Sequence, residues 1–132
     1  FEGWRIGARS QKNKNLIKPI NILEKKEDPK LIWRKKVNKE LKNEYNKIFN
    51  KINRLIFLKV PNFECVYKWR LLQEKKLKLT SGGKKIMSAF QVRQFIMYYE
   101  RITMQMLKDL TSKAYAVLYL DKKHRFSKIK FN

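Results

Sequence analysis

The chain has 132 residues, with 33 Lys plus Arg against 11 Asp plus Glu for a formal charge of +22, and is 43% hydrophobic and 13% aromatic. That apolar fraction is too high for a disordered basic tail, and a single Cys excludes a disulfide scaffold or a Cys-rich zinc module and fits a reducing, cytoplasmic setting. No apolar run reaches the length of a membrane span and no signal-peptide pattern opens the chain, whose length suits one domain or part of one.

Phe1-Glu2-Gly3-Trp4 opens the chain without an initiator Met, so upstream sequence is expected and Phe1 is taken as the cut end of a first strand. Residues 5–29 are polar and irregular, with Pro19 and Pro29 as breakers, and predict a long loop with a short turn of helix. From Leu31 the period changes. Trp33, Val37, Leu41, Tyr45, Ile48 and Ile52 recur at three- and four-residue steps, predicting one amphipathic helix of about five turns seated after Asp28-Pro29. The run Leu55-Ile56-Phe57-Leu58, closed by Lys59-Val60-Pro61, predicts a strand buried on both faces, as in a parallel sheet. A second helix is expected from Phe63 to Leu77 and a break at Thr80-Ser81-Gly82-Gly83. Ser88 with Gln91 three residues on has the form of a capping box. The helix it opens carries Val92, Phe95, Ile96, Tyr99, Ile102, Met106 and Leu110. Ala114 to Leu120 predicts a strand, Asp121 to His124 a turn, and Phe126 to Phe131 the second strand of a hairpin. The order is that of an α/β fold.

Several segments invite chemistry, each beside a plainer account. Gly82-Gly83-Lys84-Lys85 fails as a phosphate loop, because Lys78 stands at the first glycine position and Lys85 at the hydroxyl position; a flexible turn is the better account. Glu2, at a strand end followed by Gly, is either an exposed acid or a carboxylate orienting Mg²⁺ or its waters near a triphosphate. Arg70, Gln73 and Glu74 fall within one helical turn, either as a solvated ion pair or with Arg70 capping charge on a transferring phosphoryl group. Arg101 has the same ambiguity. His124 is a surface turn histidine and Cys65 a packed thiol. The Lys-rich helix after Leu31 lies either on nucleic acid or an anionic membrane, or against a sheet through Trp33, Val37 and Leu41.

Taken together, the segments resemble the carboxy-terminal part of D-glycerate 3-kinase-like proteins, within the wider P-loop kinases. Phe1-Glu2-Gly3-Trp4 with Gly7-Ala8-Arg9 is similar to that family's E-G-W strand end and the loop after it. Pro19-Ile20-Asn21-Ile22-Leu23-Glu24, Asp28, Trp33-Arg34 and Val37-Asn38 resemble its P-x-N-x-L-E…D…W-R-x-x-V-N stretch. Pro61-Asn62-Phe63-Glu64, Trp69-Arg70 and Gln73-Glu74 resemble its lid region, and Phe95-Ile96…Tyr99-Glu100-Arg101-Ile102-Thr103 its F-I-x-x-Y-E-R-x-T run. Arg5 and Ser10 depart from the family's usual residues.

The resemblance implies an incomplete three-layer P-loop kinase fold, with a parallel sheet, flanking helices and a lid over residues 61–90. It implies transfer of the ATP γ-phosphate, with Mg²⁺, to a hydroxyl of a small organic acid such as D-glycerate. Glu2 would then sit beside the phosphate and the metal, held directly or through water, and Arg70 with Trp69, Gln73 and Glu74 would belong to the lid. Arg9 and Arg101 become candidates for binding the acidic substrate or phosphates. The phosphate loop is expected upstream of Phe1, so these 132 residues alone are expected to be inactive. The partners implied are ATP and a small molecule, with no membrane.

The rival account is a basic α/β module for RNA or DNA, for which the charge is the first evidence. Against it, 25 of the basic residues are Lys and 8 are Arg, the usage of an A+T-rich coding sequence, whereas bidentate phosphate recognition favours Arg. A kinase piece is expected to gather Glu2, Arg9, Arg70 and Arg101 around one cleft and to bury most aromatics. A degenerate homologue acting only through interactions is a third account.

Overall fold

The computed structural model describes residues 2–80 and 86–132. In chain order its elements are α1 (Asn13–Ile17), α2 (Ile22–Glu27), α3 (Ile32–Lys42), α4 (Glu44–Phe49), β1 (Ile56–Lys59), α5 (Phe63–Thr80), α6 (Ala89–Lys113), β2 (Ala116–Leu120) and β3 (Phe126–Phe131). The glycine–lysine turn at 82–85 and Phe1, on which the first-strand expectation rests, lie outside the described residues.

The longest element, α6, starts where the Ser88–Gln91 spacing predicts. Ser88 Oγ accepts the Gln91 N–H at 3.2 Å and the Ser88 N–H donates to Gln91 Oε1 at 2.8 Å, so two of the helix's unpaired N-terminal donors are met. Its stripe supplies the core: Met106, Leu110 and Ala114 pack with Ala8, Leu41 and Val117, and Phe57, Leu55 and Ile102 close around them. With Val92 and Ile96 also buried, one face of α6 is apolar along most of its 25 residues.

The strands form a three-stranded sheet in the order β1-β2-β3, with β1 parallel to β2 and β2 antiparallel to β3. The hairpin is as expected; the sheet is mixed rather than parallel. Register decides what each face carries. Phe57 and Val117 point to α6, whereas Ile56, Ala116 and Phe131 form one row of the opposite face, and Leu58, Leu118 and Ile129 the next. Ile56, Leu58, Ile129 and Phe131 stay 54–68% exposed there. The strand expected to be buried on both faces is therefore buried on one, because among the described residues no element packs on the second face. The described residues build two layers, not three.

Two further expectations change in the N-terminal half. Residues 5–29 hold two short helices, α1 and α2, rather than a loop with one turn. The five-turn helix after Leu31 breaks at Asn43, whose backbone (φ −100°, ψ −87°) leaves the helical region. The break redirects the stripe. Trp33, Val37 and Leu41 face one cavity, while Tyr45, Ile48 and Phe49 face another. Before them the chain turns through Trp4–Gly7. Gly7 has φ +81°, a conformation that favours glycine, and a Cβ there would meet Leu55 Cδ2 at 2.6 Å and oblige that side chain to shift.

Candidate active site

Arg34 and Arg101 are drawn inward, unlike the lysines, which lie exposed or half-exposed throughout the described residues. The Arg34 side chain is 3% exposed and donates from Nε to Asp28 Oδ2 at 2.8 Å and from Nη1 to the Leu16 carbonyl at 3.0 Å and Glu24 Oε2 at 3.5 Å. Asp28 also takes the backbone N–H groups of Trp33 (3.1 Å) and Arg34 (3.2 Å), and so caps α3 in place of Leu31, which sits in the left-handed region at φ 62°. Burial by itself would raise the Asp28 carboxyl, but the Arg34 guanidinium and the α3 N–H groups outweigh it and hold the group below its ordinary range.

Arg101 completes the network from α6. Its Nε and Nη2 donate to the two oxygens of Glu24 at 2.7 and 2.6 Å, and its remaining N–H groups reach Gln11 Oε1 at 3.3 Å and the carbonyls of Asn15 and Lys18 at 2.8 Å. All the donors of a guanidinium are thereby occupied. Asn21 caps α2 through Glu24 N–H and donates from Nδ2 to Glu100 Oε2 at 2.9 Å. Most of the residues quoted for the P-x-N-x-L-E…D…W-R and Y-E-R fragments thus meet in one ionic cluster, joining α2, α3 and α6.

Arg70 lies elsewhere. From α5 it pairs with Glu74 and donates from Nη1 to Gln73 Oε1 at 2.7 Å, its guanidinium 5.8 Å from the Phe95 ring centroid. Glu74 is buried and its other oxygen accepts the Met87 N–H at 3.0 Å, which ties α5 to the segment entering α6. Trp69 stacks on His124 at 4.2 Å and donates to the Lys122 carbonyl at 3.4 Å, anchoring α5 to the hairpin turn. At the start of α5, Glu64 pairs with Arg93 of α6 at 3.0 Å, and that hydrogen bond holds the Glu64 carboxyl below its usual range.

Glu2 and Arg70 line one cleft of about 570 Å³, with Trp4, Phe95 and Tyr99 between them. Arg9 and Arg101 line a different and much smaller cavity, about 50 Å³, together with Trp33 and Tyr98. The four residues expected around one cleft are therefore divided between two, because adjacent residues of α6 carry the partners: Tyr99 meets Trp4 edge-on at 4.5 Å, and Tyr98 meets Trp33 at 5.3 Å. Nor are the aromatics buried; among the described residues none belongs to the fully buried core. Sequence reasoning missed Glu24, Asp28 and Arg34 as partners, although all three lie in the fragments that carry the resemblance.

Among the described residues no group of three metal-ligating side chains forms a cation site. Mg²⁺ at a phosphate needs less, one or two carboxylates with water and phosphate oxygens, and Glu2 in the larger cleft fits that share. No helix among the described residues is long and apolar enough to cross a membrane.

No family model matches the chain. It is similar to the uncharacterized kinase mug58 of Schizosaccharomyces pombe, with 32% identity over 111 residues, 75% of this chain and 34% of that protein. Its fold matches D-glycerate 3-kinase from Cryptococcus neoformans var. grubii serotype A with a TM-score of 0.75 and 21% identity, over 100% of this chain and 49% of that one. The chain spans between a third and a half of these relatives' lengths. The resemblance expected from the sequence is borne out, and the two-layer α/β unit has the fold of part of a D-glycerate 3-kinase.

Proposed function

We propose that the chain is the carboxy-terminal portion of a single P-loop kinase domain, with residues 61–90 as its lid. In this reading the whole protein transfers the γ-phosphate of ATP, with Mg²⁺, to a hydroxyl of a small organic acid, most like D-glycerate, in the cytoplasm. The observation that supports it is the cleft shared by Glu2 and Arg70 in a fold similar to that of a D-glycerate 3-kinase. Phosphoryl transfer asks the protein mainly for positioning and for charge opposite the phosphoryl oxygens. Gln73 and the buried Glu74 fix the plane of the Arg70 guanidinium while leaving, among the described residues, part of its donor fork free for such an oxygen. Glu2 is the one acid among the described residues lining that cleft, suited to hold a water of a bound Mg²⁺. ATP, when bound, supplies the transferable group; the loop gripping its phosphates is assigned to residues outside these 132.

The test is ADP release from ATP, Mg²⁺ and D-glycerate by the full-length protein, beside the 132-residue chain. Turnover by the former and none by the latter is expected, with Arg70→Ala lowering kcat by about 10³-fold. A full-length protein that phosphorylates no hydroxy acid, or a 132-residue chain that turns over above a blank, contradicts the proposal.

One observation favours the rival basic module. Lys59, Tyr119 and Lys128 form a row across the three strands, with the ammonium groups 5.1 and 5.9 Å from the ring centroid, and the aromatics remain partly exposed. Binding to single-stranded RNA that falls steeply with salt would support it.

A further inference from the structure

We propose that the small cavity between α3 and α6 is an anion subsite that takes one carboxylate. Trp33 Nε1 is buried and meets no hydrogen-bond acceptor among the described residues, although its side chain lines the cavity. A buried N–H left unmet is costly, so the site is built to receive an acceptor. Arg9 lines the same cavity from its exposed side, and among the described residues no acceptor or acid reaches its guanidinium. The backbone just after it is nonetheless held. Gln11, two residues on, exchanges hydrogen bonds of 2.7 and 3.0 Å with the Asn38 side chain of α3.

Charge on the cavity wall points the same way. Three arginines and Glu24 line it; Arg34 and Arg101 are neutralised by Asp28 and Glu24, leaving Arg9 as the uncompensated cation among the described residues. One positive charge and one indole donor match one monovalent anion. The volume, about 50 Å³ against about 570 Å³ for the cleft of Glu2 and Arg70, admits a carboxylate and not a nucleoside triphosphate. As a binding site the cavity stands on these atoms alone; as the seat of the phosphoryl acceptor's carboxylate it rests on the kinase reading.

The test uses full-length protein labelled with ¹⁵N at the tryptophan indoles, with the Trp33 resonance assigned through Trp33→Phe. Titration with acetate and with D-glycerate is expected to shift the Trp33 indole proton, and glycerol, which lacks the carboxylate, is expected to leave it in place. Arg9→Gln, at an exposed position that tolerates substitution, is expected to weaken the acetate response about tenfold. No shift with either carboxylate, or an equal response in Arg9→Gln, overturns the proposal. In the kinase assay, a raised KM for D-glycerate in Arg9→Gln identifies the carboxylate as the acceptor's, and an unchanged KM with binding lost identifies a separate anion. A Trp33 shift without any turnover upholds the subsite and rejects the kinase.

Discussion

Glu24 and Arg101 lie 77 residues apart in the chain and meet oxygen to nitrogen at 2.7 and 2.6 Å, side by side, with the Glu24 side chain only 4% exposed. A pair of this kind adds little over a well-packed apolar pair, but removing one partner strands a buried charge. Arg101→Leu is therefore expected to destabilise the chain by about 3–5 kcal/mol in urea unfolding. Arg101→Lys is expected to recover only part of that, since an ammonium cannot serve the planar set of acceptors. A loss below about 1 kcal/mol for Arg101→Leu would show that the cluster does not hold the N-terminal helices to α6.

Asp28 makes stability depend on pH in a defined direction. Its carboxyl is held below the ordinary value of 3.8, so folding favours the ionised form. The contribution is fully present above the unfolded value and is lost as pH falls through the folded one. The stability difference between the parent chain and Asp28→Asn is expected to be constant from neutral pH down to about 5 and to shrink below about 4. A difference that grew on acidification would refute the assignment.

Gly7→Ala tests the turn that carries Arg9. The positive φ and the 2.6 Å approach to Leu55 each oppose a Cβ, so a loss of about 1–3 kcal/mol is expected. Adding Leu55→Ala should relieve the clash and leave the backbone strain, giving a double variant less destabilised than the sum of the two. Simple additivity in thermal unfolding would mean that the contact with Leu55 does not matter.

In the 132-residue chain by itself, the sheet face left uncovered among the described residues predicts self-association. Ile129 and Phe131 are 56% and 68% exposed beside Ile56 and Leu58, a contiguous apolar patch of the kind that marks an interaction surface. Ile129→Lys with Phe131→Lys is expected to lower association in sedimentation velocity and to change stability by less than about 1 kcal/mol. Unaltered association would place the contact elsewhere.

Interactions between residues close in the chain are legible in the sequence itself. The Ser88 capping box, the stripe of α6 and the hairpin at Asp121 follow from spacings of two to four residues, and the structure reproduces them. The break at Asn43 is not legible, because the apolar steps continue through it and only the backbone changes direction. The division of the candidate site is hidden for a related reason. Tyr98 and Tyr99 are neighbours in the chain, yet a turn of about 100° per residue sends them to different cavities.

The sequence by itself determined the α/β class, the start of the longest helix and the choice of Arg over Lys at the positions that carry the resemblance. It also placed Arg70 within reach of Gln73 and Glu74, since one helical turn suffices. Only the tertiary structure decided that Arg101 and Arg34 spend their donors on Glu24, Asp28, Gln11 and backbone carbonyls, that Arg9 and the Trp33 indole keep theirs among the described residues, and that Glu2 shares a cleft with Arg70. Those outcomes depend on contacts across tens of residues, where the same guanidinium serves as a strut or as a ligand-binding group according to which acceptors the fold brings to it.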